Sequence, residues 1–93
     1  QTKNVDPYNR SFELLTQDLK KMKRNQSRVI LLSGSRTRAR RLAEDLRDYN
    51  LSSFYSEDME REVEPGEIMT AYGYIAEGYE YPLLNFVVIP YGH

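Results

Sequence analysis

The sequence predicts an α/β fold, a small three-layer parallel sheet of about four strands with flanking helices. Residues 29–32 and 86–89 are short, unbroken apolar runs, which are typical of strands buried on both faces. Residues 36–47 follow the first run directly and carry apolar residues at helical spacing. Continuous apolar strands joined by crossovers favour parallel pairing, and 93 residues suffice for one domain.

The chain begins with a polar segment, residues 1–8, which we interpret as a linker before a single domain at residues 9–93. An amphipathic helix follows, because four apolar residues share one helical face: Phe12, Leu15, Leu19 and Met22. Either Asn9 or Ser11 can cap this helix, which should end near Asn25.

Basic residues crowd the last turns of this first helix. The four are Lys20, Lys21, Lys23 and Arg24. Cations suit the negative end of a helix dipole, and we interpret the cluster in this way. A nucleic-acid patch is the alternative.

One strand feeding one helix, residues 28–49, is the centre of the predicted domain. Ser33-Gly34-Ser35 ends the strand, and either serine can cap the helix. The inward face of the helix carries Ala39, Leu42, Ala43 and Leu46. The outward face carries Arg36, Arg40, Arg41, Glu44 and Arg47. Gly34 lies where phosphates often bind, but the segment lacks the spacing and the lysine of a Walker A loop, so we interpret it as a tight turn.

The second half of the chain predicts three more strands. They lie at residues 51–55, 67–72 and 86–89. Asn50 can end the preceding helix in a left-handed conformation. Residues 56–65 are acidic and end in Pro-Gly, which indicates a loop. The Gly- and Tyr-rich segment 73–81 is predicted to hold a short helical turn at 74–77, before Pro82.

Composition excludes several kinds of protein. The chain has no Cys, which excludes disulfides and thiolate metal sites. No apolar run approaches the roughly 20 residues of a membrane span, and no signal-peptide pattern is present. The chain does not begin with Met and stops shortly after a strand-like run, so we interpret it as a piece of a longer, multi-domain protein.

The net charge of −1 conceals a segregation of charge. Residues 1–50 hold twelve Lys or Arg and six Asp or Glu, whereas residues 51–93 hold one Arg and eight Asp or Glu. A basic half can face nucleic acid or an acidic partner, and the alternative is a solvated helix surface. The candidate docking or DNA-binding surface consists of Arg36, Arg40, Arg41 and Arg47.

No pattern in the sequence predicts a catalytic, cofactor-binding or metal site. His93 is the only histidine, and neither Ser33 nor Ser35 has a nearby base in the sequence. The acidic residues of segment 57–64 do not follow the spacing of an EF-hand loop, so we interpret them as solvated surface.

Eight tyrosines are the most unusual feature of the composition. Four lie around one predicted turn and are candidate partner-facing aromatics: Tyr72, Tyr74, Tyr79 and Tyr81. Such rings can stack on bases or anchor a protein partner. The alternative is that they cover the open end of the sheet with the ring buried and the hydroxyl in water.

A resemblance to known proteins adds to this picture. Residues 66–89 resemble the fifth motif region of the second RecA-like domain in superfamily-two helicases. The matching pattern is a strand ending in Thr70, then Gly78-x-Glu80-x-Pro82, then an apolar strand. Residues 29–55 resemble the opening strand–helix–strand unit of the same domain.

The chain departs from the helicase pattern at three points. Glu77 stands where the pattern prefers Arg, Glu80 replaces the usual Asp, and the Arg-rich sixth motif is absent. That motif supplies the arginine finger, which stabilises the transition state of phosphoryl transfer. The resemblance therefore implies a degenerate helicase-like domain without helicase chemistry.

Over residues 8–90 the chain is similar to bacterial transcription-repair coupling factors, the Mfd family. The matching segment follows their UvrB-like N-terminal module and precedes the domain that binds RNA polymerase. The residues that carry the similarity are Phe12-x-Leu14-Leu15, Gly78-Tyr79-Glu80-Tyr81-Pro82 and the Phe-Val-Val-Ile strand. The resemblance implies a parent that is an ATP-dependent DNA translocase, whose ATP and Mg sites lie in motor domains C-terminal to this segment.

The expected function follows from this resemblance. Such a parent is a bacterial cytoplasmic protein that releases stalled RNA polymerase, contacts double-stranded DNA and recruits nucleotide-excision repair through UvrA. The segment itself is expected to be a non-catalytic structural or docking module without a cofactor, and to contact neighbouring domains of the same chain and no membrane. The alternative is a DNA-binding accessory module that uses the arginine face. A third hypothesis, half of a split ATP site, is disfavoured by the missing Arg motif.

Overall fold

The structure is a computed structural model that describes residues 8, 11–58, 60–73 and 86–91. The helices and strands of these residues are, in chain order, α1 (Phe12–Arg24), β1 (Arg28–Ser33), α2 (Arg36–Arg47), β2 (Ser52–Tyr55), β3 (Glu67–Tyr72) and β4 (Phe86–Pro90). The strands form one parallel sheet in the order β2-β3-β1-β4. The predicted α/β fold with a four-stranded parallel sheet and flanking helices is therefore confirmed.

Side-chain caps begin both helices where the sequence places them. The Ser11 hydroxyl accepts a hydrogen bond from the Leu14 N–H at 3.3 Å, and the Ser35 hydroxyl accepts one from the Arg38 N–H at 3.2 Å. Each bond satisfies a backbone donor that has no partner inside the helix. After α2 the chain turns through Asn50, whose φ of 64° is left-handed, as its residue type predicted.

Both helices pack on the same face of the sheet. Leu15 and Leu19 of α1 and Leu42 and Leu46 of α2 form one buried cluster with alternate residues of the strands. The strand residues in that cluster are Val29, Leu31, Ile68 and Ile89. Because successive side chains of a strand point to opposite faces, this cluster lies between the helices and the sheet.

The opposite face of the sheet has its own apolar cluster. Ile30 and Leu32 of β1 and Met69 and Ala71 of β3 are buried there, together with Val63 from the connection between β2 and β3. The guanidinium of Arg61, in the same connection, lies 4.0 Å from the centre of the Phe54 ring. Within the described residues, the segment after β2 therefore covers a face that neither helix reaches.

Two buried hydrogen bonds fix α2 above β2 and β3. The Thr70 hydroxyl donates to the Ala39 carbonyl at 2.7 Å, and the Ser53 hydroxyl donates to the Ala43 carbonyl at 2.6 Å. Thr70 and Ser53 are both buried, so each hydroxyl finds its acceptor in the helix backbone instead of water. These bonds set the position of α2 along the strands, and with it the position of its first turn at the sheet edge.

Some predictions concern residues outside the described ones. They are the linker except for Tyr8, the helical turn at 74–77, the Gly78-to-Pro82 segment and His93. In the part of the chain that the structure describes, no helix has both the length and the apolar character needed to cross a membrane.

Candidate docking surface at the carboxyl edge of the sheet

The carboxyl edge of the parallel sheet gathers residues that are far apart in the sequence. Tyr55 ends β2 and Tyr72 ends β3, while Arg36 opens α2 directly after β1. In an open parallel sheet this edge is where ligands and partners usually bind, because the loops after every strand meet there. The sequence thus brings aromatic and cationic side chains together at a position that suits recognition.

Glu57 is the centre of the resulting cluster. Its Oε2 atom lies 3.3 Å from Arg40 Nη2 and 3.7 Å from Arg36 Nε. The Tyr55 hydroxyl donates a hydrogen bond of 2.6 Å to the same oxygen. One carboxylate oxygen therefore joins the first two turns of α2 to the end of β2.

Each of the two arginines also lies over an aromatic ring. The Arg36 Cζ atom is 4.1 Å from the centre of the Tyr72 ring, and the Arg40 Cζ atom is 4.9 Å from the centre of the Tyr55 ring. Both distances lie within the range of cation–π attraction. We call Arg36, Arg40, Tyr55, Glu57 and Tyr72 the arginine–tyrosine cluster.

The arginine–tyrosine cluster remains open to solvent. Tyr72 is 43% exposed, and the side chains of Arg36, Arg40 and Glu57 are each more than half exposed. Exposed ion pairs contribute little to the free energy of folding. Together with the cation–π contacts, they favour the arrangement in which each guanidinium lies over a ring.

Electrostatics at the cluster agree with this geometry. The hydrogen bond from Tyr55 and the charges of Arg40 and Arg36 together lower the pKa of Glu57 below its ordinary value of 4.5, against an opposing effect of desolvation. Desolvation raises the pKa of Tyr55 above 10.0, and its hydrogen bond to the Glu57 carboxylate acts in the same direction. At neutral pH the cluster therefore holds a carboxylate, a phenol and two guanidinium groups.

The predicted arginine face divides into three environments. Arg36 and Arg40 belong to the cluster. Arg41 is 76% exposed and forms an ion pair with Asp45, one helical turn away, at 3.5 Å. Arg47 donates a hydrogen bond of 2.9 Å to the Ser53 carbonyl, so it joins α2 to β2.

Of the predicted aromatics, Tyr72 lies in the cluster, and Tyr74, Tyr79 and Tyr81 lie outside the described residues. Sequence reasoning missed Tyr55 and Glu57 as members of the site. In the sequence Glu57 belongs to an acidic run, and its distance from Arg36 and Arg40 along the chain hides the pairing. The signal that could have found it is topological: in a parallel sheet, an acidic residue just after one strand lies near the helix that begins after another.

A shallow depression of about 280 Å³ adjoins the cluster and is lined by Arg36, Ser56, Glu57, Ala71 and Tyr72. Its guanidinium and phenol groups can bind carboxylates or planar groups. Among the described residues, no group of three or more His, Cys, Asp or Glu is placed to hold a metal ion. Arg and Tyr are enriched at protein interfaces, and in this cluster they supply both charge and contact area.

Comparisons with protein-family models, curated proteins and solved structures give no match for this chain.

Proposed function

We propose that this chain is a non-catalytic structural and docking module of a bacterial transcription-repair coupling factor. The full-length protein would be a cytoplasmic, ATP-dependent DNA translocase that releases stalled RNA polymerase and recruits nucleotide-excision repair through UvrA. ATP and Mg would belong to its motor domains, which also act on double-stranded DNA. The direct partners of the module would be neighbouring domains of the same chain.

The arginine–tyrosine cluster is the observation that supports docking. Arg and Tyr are enriched at protein interfaces and among the residues that dominate binding energy. In the cluster these side chains are exposed or half-buried, and they already contact one another by stacking or through Glu57. Ordering before binding lowers the entropy that association costs, so such a surface is suited to an interface that opens and closes.

The chemistry of the cluster suggests an acidic surface as its partner. Each guanidinium uses one of its donors on Glu57, and its other N–H groups are available to carboxylates of a partner. A partner carboxylate would compete with Glu57 for Arg36 and Arg40. Since Glu57 is exposed, its displacement into water is inexpensive.

DNA binding through the arginine face of α2 is the second candidate. It would use Arg36, Arg40, Arg41 and Arg47, the residues that the sequence places on one face. Three of these arginines pair with carboxylates of the same chain and the fourth bonds a backbone carbonyl. Phosphates would have to displace those partners, so the geometry favours docking over DNA binding at this face. DNA binding there would give an affinity that falls steeply with salt.

The test of docking uses the full-length coupling factor that carries this segment. We expect charge reversal of the cluster, Arg36→Glu with Arg40→Glu, to raise the basal ATPase rate, because a domain interface that restrains the motor would be lost. The matched control is Arg38→Glu with Arg41→Glu, which makes the same change in charge on α2 outside the cluster. Equal rates in the wild type and the cluster variant would contradict docking at this surface.

The non-catalytic part of the proposal has a separate test. We expect isothermal titration of this chain with Mg-ATP to give no binding heat. A saturable heat would favour the split ATP site instead, and a change in the ATPase rate without such a heat would support the docking module.

A further inference from the structure

A second surface lies at the opposite end of α2 from the arginine–tyrosine cluster. It is a groove of about 440 Å³ between the end of α1 and the turn that follows α2. The groove is lined by Lys20, Lys23, Arg24, Tyr49, Asn50 and Leu51, with Gln26 at one side. We call it the basic groove. Its volume is in the range of natural ligand sites.

Three of the cations that line the basic groove belong to a group of four at the end of α1 that takes part in no salt bridge among the described residues. Lys20, Lys21, Lys23 and Arg24 are all exposed and lie within five consecutive positions. The salt bridges of the described residues use Arg36, Arg40, Arg41 and Arg61, and none uses these four. The dipole of α1 favours cations at this end, but its fractional charge does not neutralise four of them.

An aromatic ring stands beside these cations. Tyr49 is 45% exposed, and the edge-to-face contact of its ring with Phe12, at 5.2 Å between centres and 73° between planes, fixes its orientation. The Lys20 Nζ atom lies over the Tyr49 ring, 6.0 Å from its centre, so a base that stacks on this face must share it with the ammonium group or displace that group. The ring is therefore a supported, partly open platform next to a positive charge.

The backbone of the groove is also well defined. Lys23 Nζ donates a hydrogen bond of 2.9 Å to the Asn50 carbonyl, which ties the end of α1 to the turn after α2. Gln26 and Asn50 both have left-handed φ values, of 59° and 64°, so each helix is followed by a sharp turn. Lys20 and Arg24 are therefore the two cations of the groove that make no hydrogen bond to the backbone among the described residues.

We propose that the basic groove binds single-stranded nucleic acid, with backbone phosphates on Lys20 and Arg24 and a base stacked on Tyr49. Proteins that bind single strands combine two features. One is a row of cations that contacts the phosphate backbone, and the other is an aromatic ring on which a base stacks. A duplex keeps its bases stacked on one another, so it would leave Tyr49 unused. An acidic peptide would use the cations alone. The proposal does not depend on the docking function, because it concerns the other end of α2.

Fluorescence anisotropy of a labelled oligothymidylate, titrated with this chain over a series of salt concentrations, tests the proposal. We expect Lys20→Ala with Arg24→Ala to weaken binding at least tenfold at low salt. The slope of log affinity against log salt should become shallower by about 1.4, since each lost phosphate contact removes about 0.7 for a single strand. The matched control is Arg36→Ala with Arg40→Ala, which makes the same change in net charge at the cluster and should leave affinity within twofold.

The aromatic platform has its own variant. We expect Tyr49→Leu to weaken binding about five- to hundredfold, the range that loss of one stacked base gives, without changing the salt slope. Tyr72→Leu, at the cluster, is the control and should have no effect.

Three results would overturn the proposal. One is absence of binding, and another is equal loss of affinity in the groove and cluster variants, which would indicate general electrostatic attraction. The third is an affinity that does not change in Tyr49→Leu, together with either of two further observations. These are tighter binding of a duplex of equal length, or effective competition by polyglutamate. That result would assign the groove to duplex DNA or to an acidic protein.

Discussion

Thr70 shows how a single hydroxyl positions the helix that carries the cluster. Its side chain is fully buried in β3 and donates to the Ala39 carbonyl in the first half of α2. We expect Thr70→Val, which keeps the shape of the side chain and removes the donor, to lower the free energy of unfolding by about 1–2 kcal/mol. Urea denaturation measures this change.

The control for this prediction is Thr37→Val, the same substitution at an exposed position of α2. It should change the free energy of unfolding by less than about 0.5 kcal/mol, as exposed substitutions usually do. Equal effects at the two positions would mean that the Thr70 hydrogen bond makes no net contribution to the free energy of unfolding.

Glu57 provides a second prediction about a single residue, which concerns its pKa. The Tyr55 hydrogen bond is the largest cause of its lowered pKa, so we expect Tyr55→Phe to raise the pKa of Glu57 toward 4.5. Carbon-detected NMR of the Glu57 carboxyl group measures the titration. Tyr49→Phe removes a hydroxyl far from Glu57 and is the control. An unchanged pKa in Tyr55→Phe would contradict the assigned cause.

The sign of the effect on stability follows from the same shift. Glu57 has a lower pKa in the folded chain than in the unfolded chain, so its ionised form favours folding above the unfolded pKa. That contribution is lost as the pH falls through the folded pKa, in the acid range below 4.5. The arginine–tyrosine cluster should accordingly be intact at neutral pH and loosen in acid, as Glu57 becomes protonated.

At the scale of elements, the start of α2 is the most instructive. Its first turn contains no acidic residue, while Arg36 and Arg38 stand beside the positive end of the helix dipole. The Ser35 cap is the favourable feature that offsets this arrangement. The cationic start of α2 therefore suits recognition at the sheet edge more than it suits helix stability.

We expect Ser35→Ala to lower the free energy of unfolding by about 1 kcal/mol, because the Arg38 N–H loses its acceptor. Ser35→Asp keeps the cap and adds a negative charge to the dipole, so it should raise stability by about 0.3–1 kcal/mol at low salt. Ser11→Asp is the comparison, since α1 already has Glu13 in its first turn and should gain less. A Ser35→Asp variant less stable than Ser35→Ala would contradict the capping account.

The elements themselves could be predicted from the sequence. Local signals were sufficient: the apolar run of β1, the apolar face of α2 and the serines that cap both helices. The observed bounds differ from the predicted ones by about one residue, which is within the usual uncertainty of element ends. These signals are local, so a single sequence carries them.

The arrangement of the elements was not predictable in the same way. Nothing in the continuous apolar run of β1 tells which face a helix will cover, because period-two alternation is missing from it. The side shared by both helices and the order β2-β3-β1-β4 result from long-range packing. The role of Glu57 was hidden for the same reason, since its partners lie in another element.

At the scale of the whole molecule, the two candidate surfaces are separated by the length of one helix. The arginine–tyrosine cluster lies at the first turns of α2, and the basic groove lies beyond its last turn. Twelve residues of helix place them about 18 Å apart. The two proposed sites therefore do not overlap, and variants at one surface should leave the other intact.

The sheet that supports both surfaces should be most stable at its centre. β1 and β3 each have hydrogen-bonded neighbours on both sides, whereas β2 and β4 each have one such neighbour among the described strands. We expect amide hydrogens of β1 and β3 to exchange slowest, at the rate of global unfolding, and those of β2 and β4 to exchange through smaller openings. Native-state hydrogen exchange by NMR, with low concentrations of denaturant, gives the opening free energy of each amide.

The edge strand β4 provides the most informative comparison in that experiment. An edge strand exposes unpaired backbone groups, to which another strand can add. If the amides of β4 exchange as slowly as those of β1 at every protein concentration, another strand of the same chain pairs with β4 in solution, and β4 is not the edge of the sheet. If they slow only as concentration rises, the edge is pairing between copies of the chain. Fast exchange at all concentrations is the expected result, and it would leave β4 open beside the helix layer that positions the two surfaces.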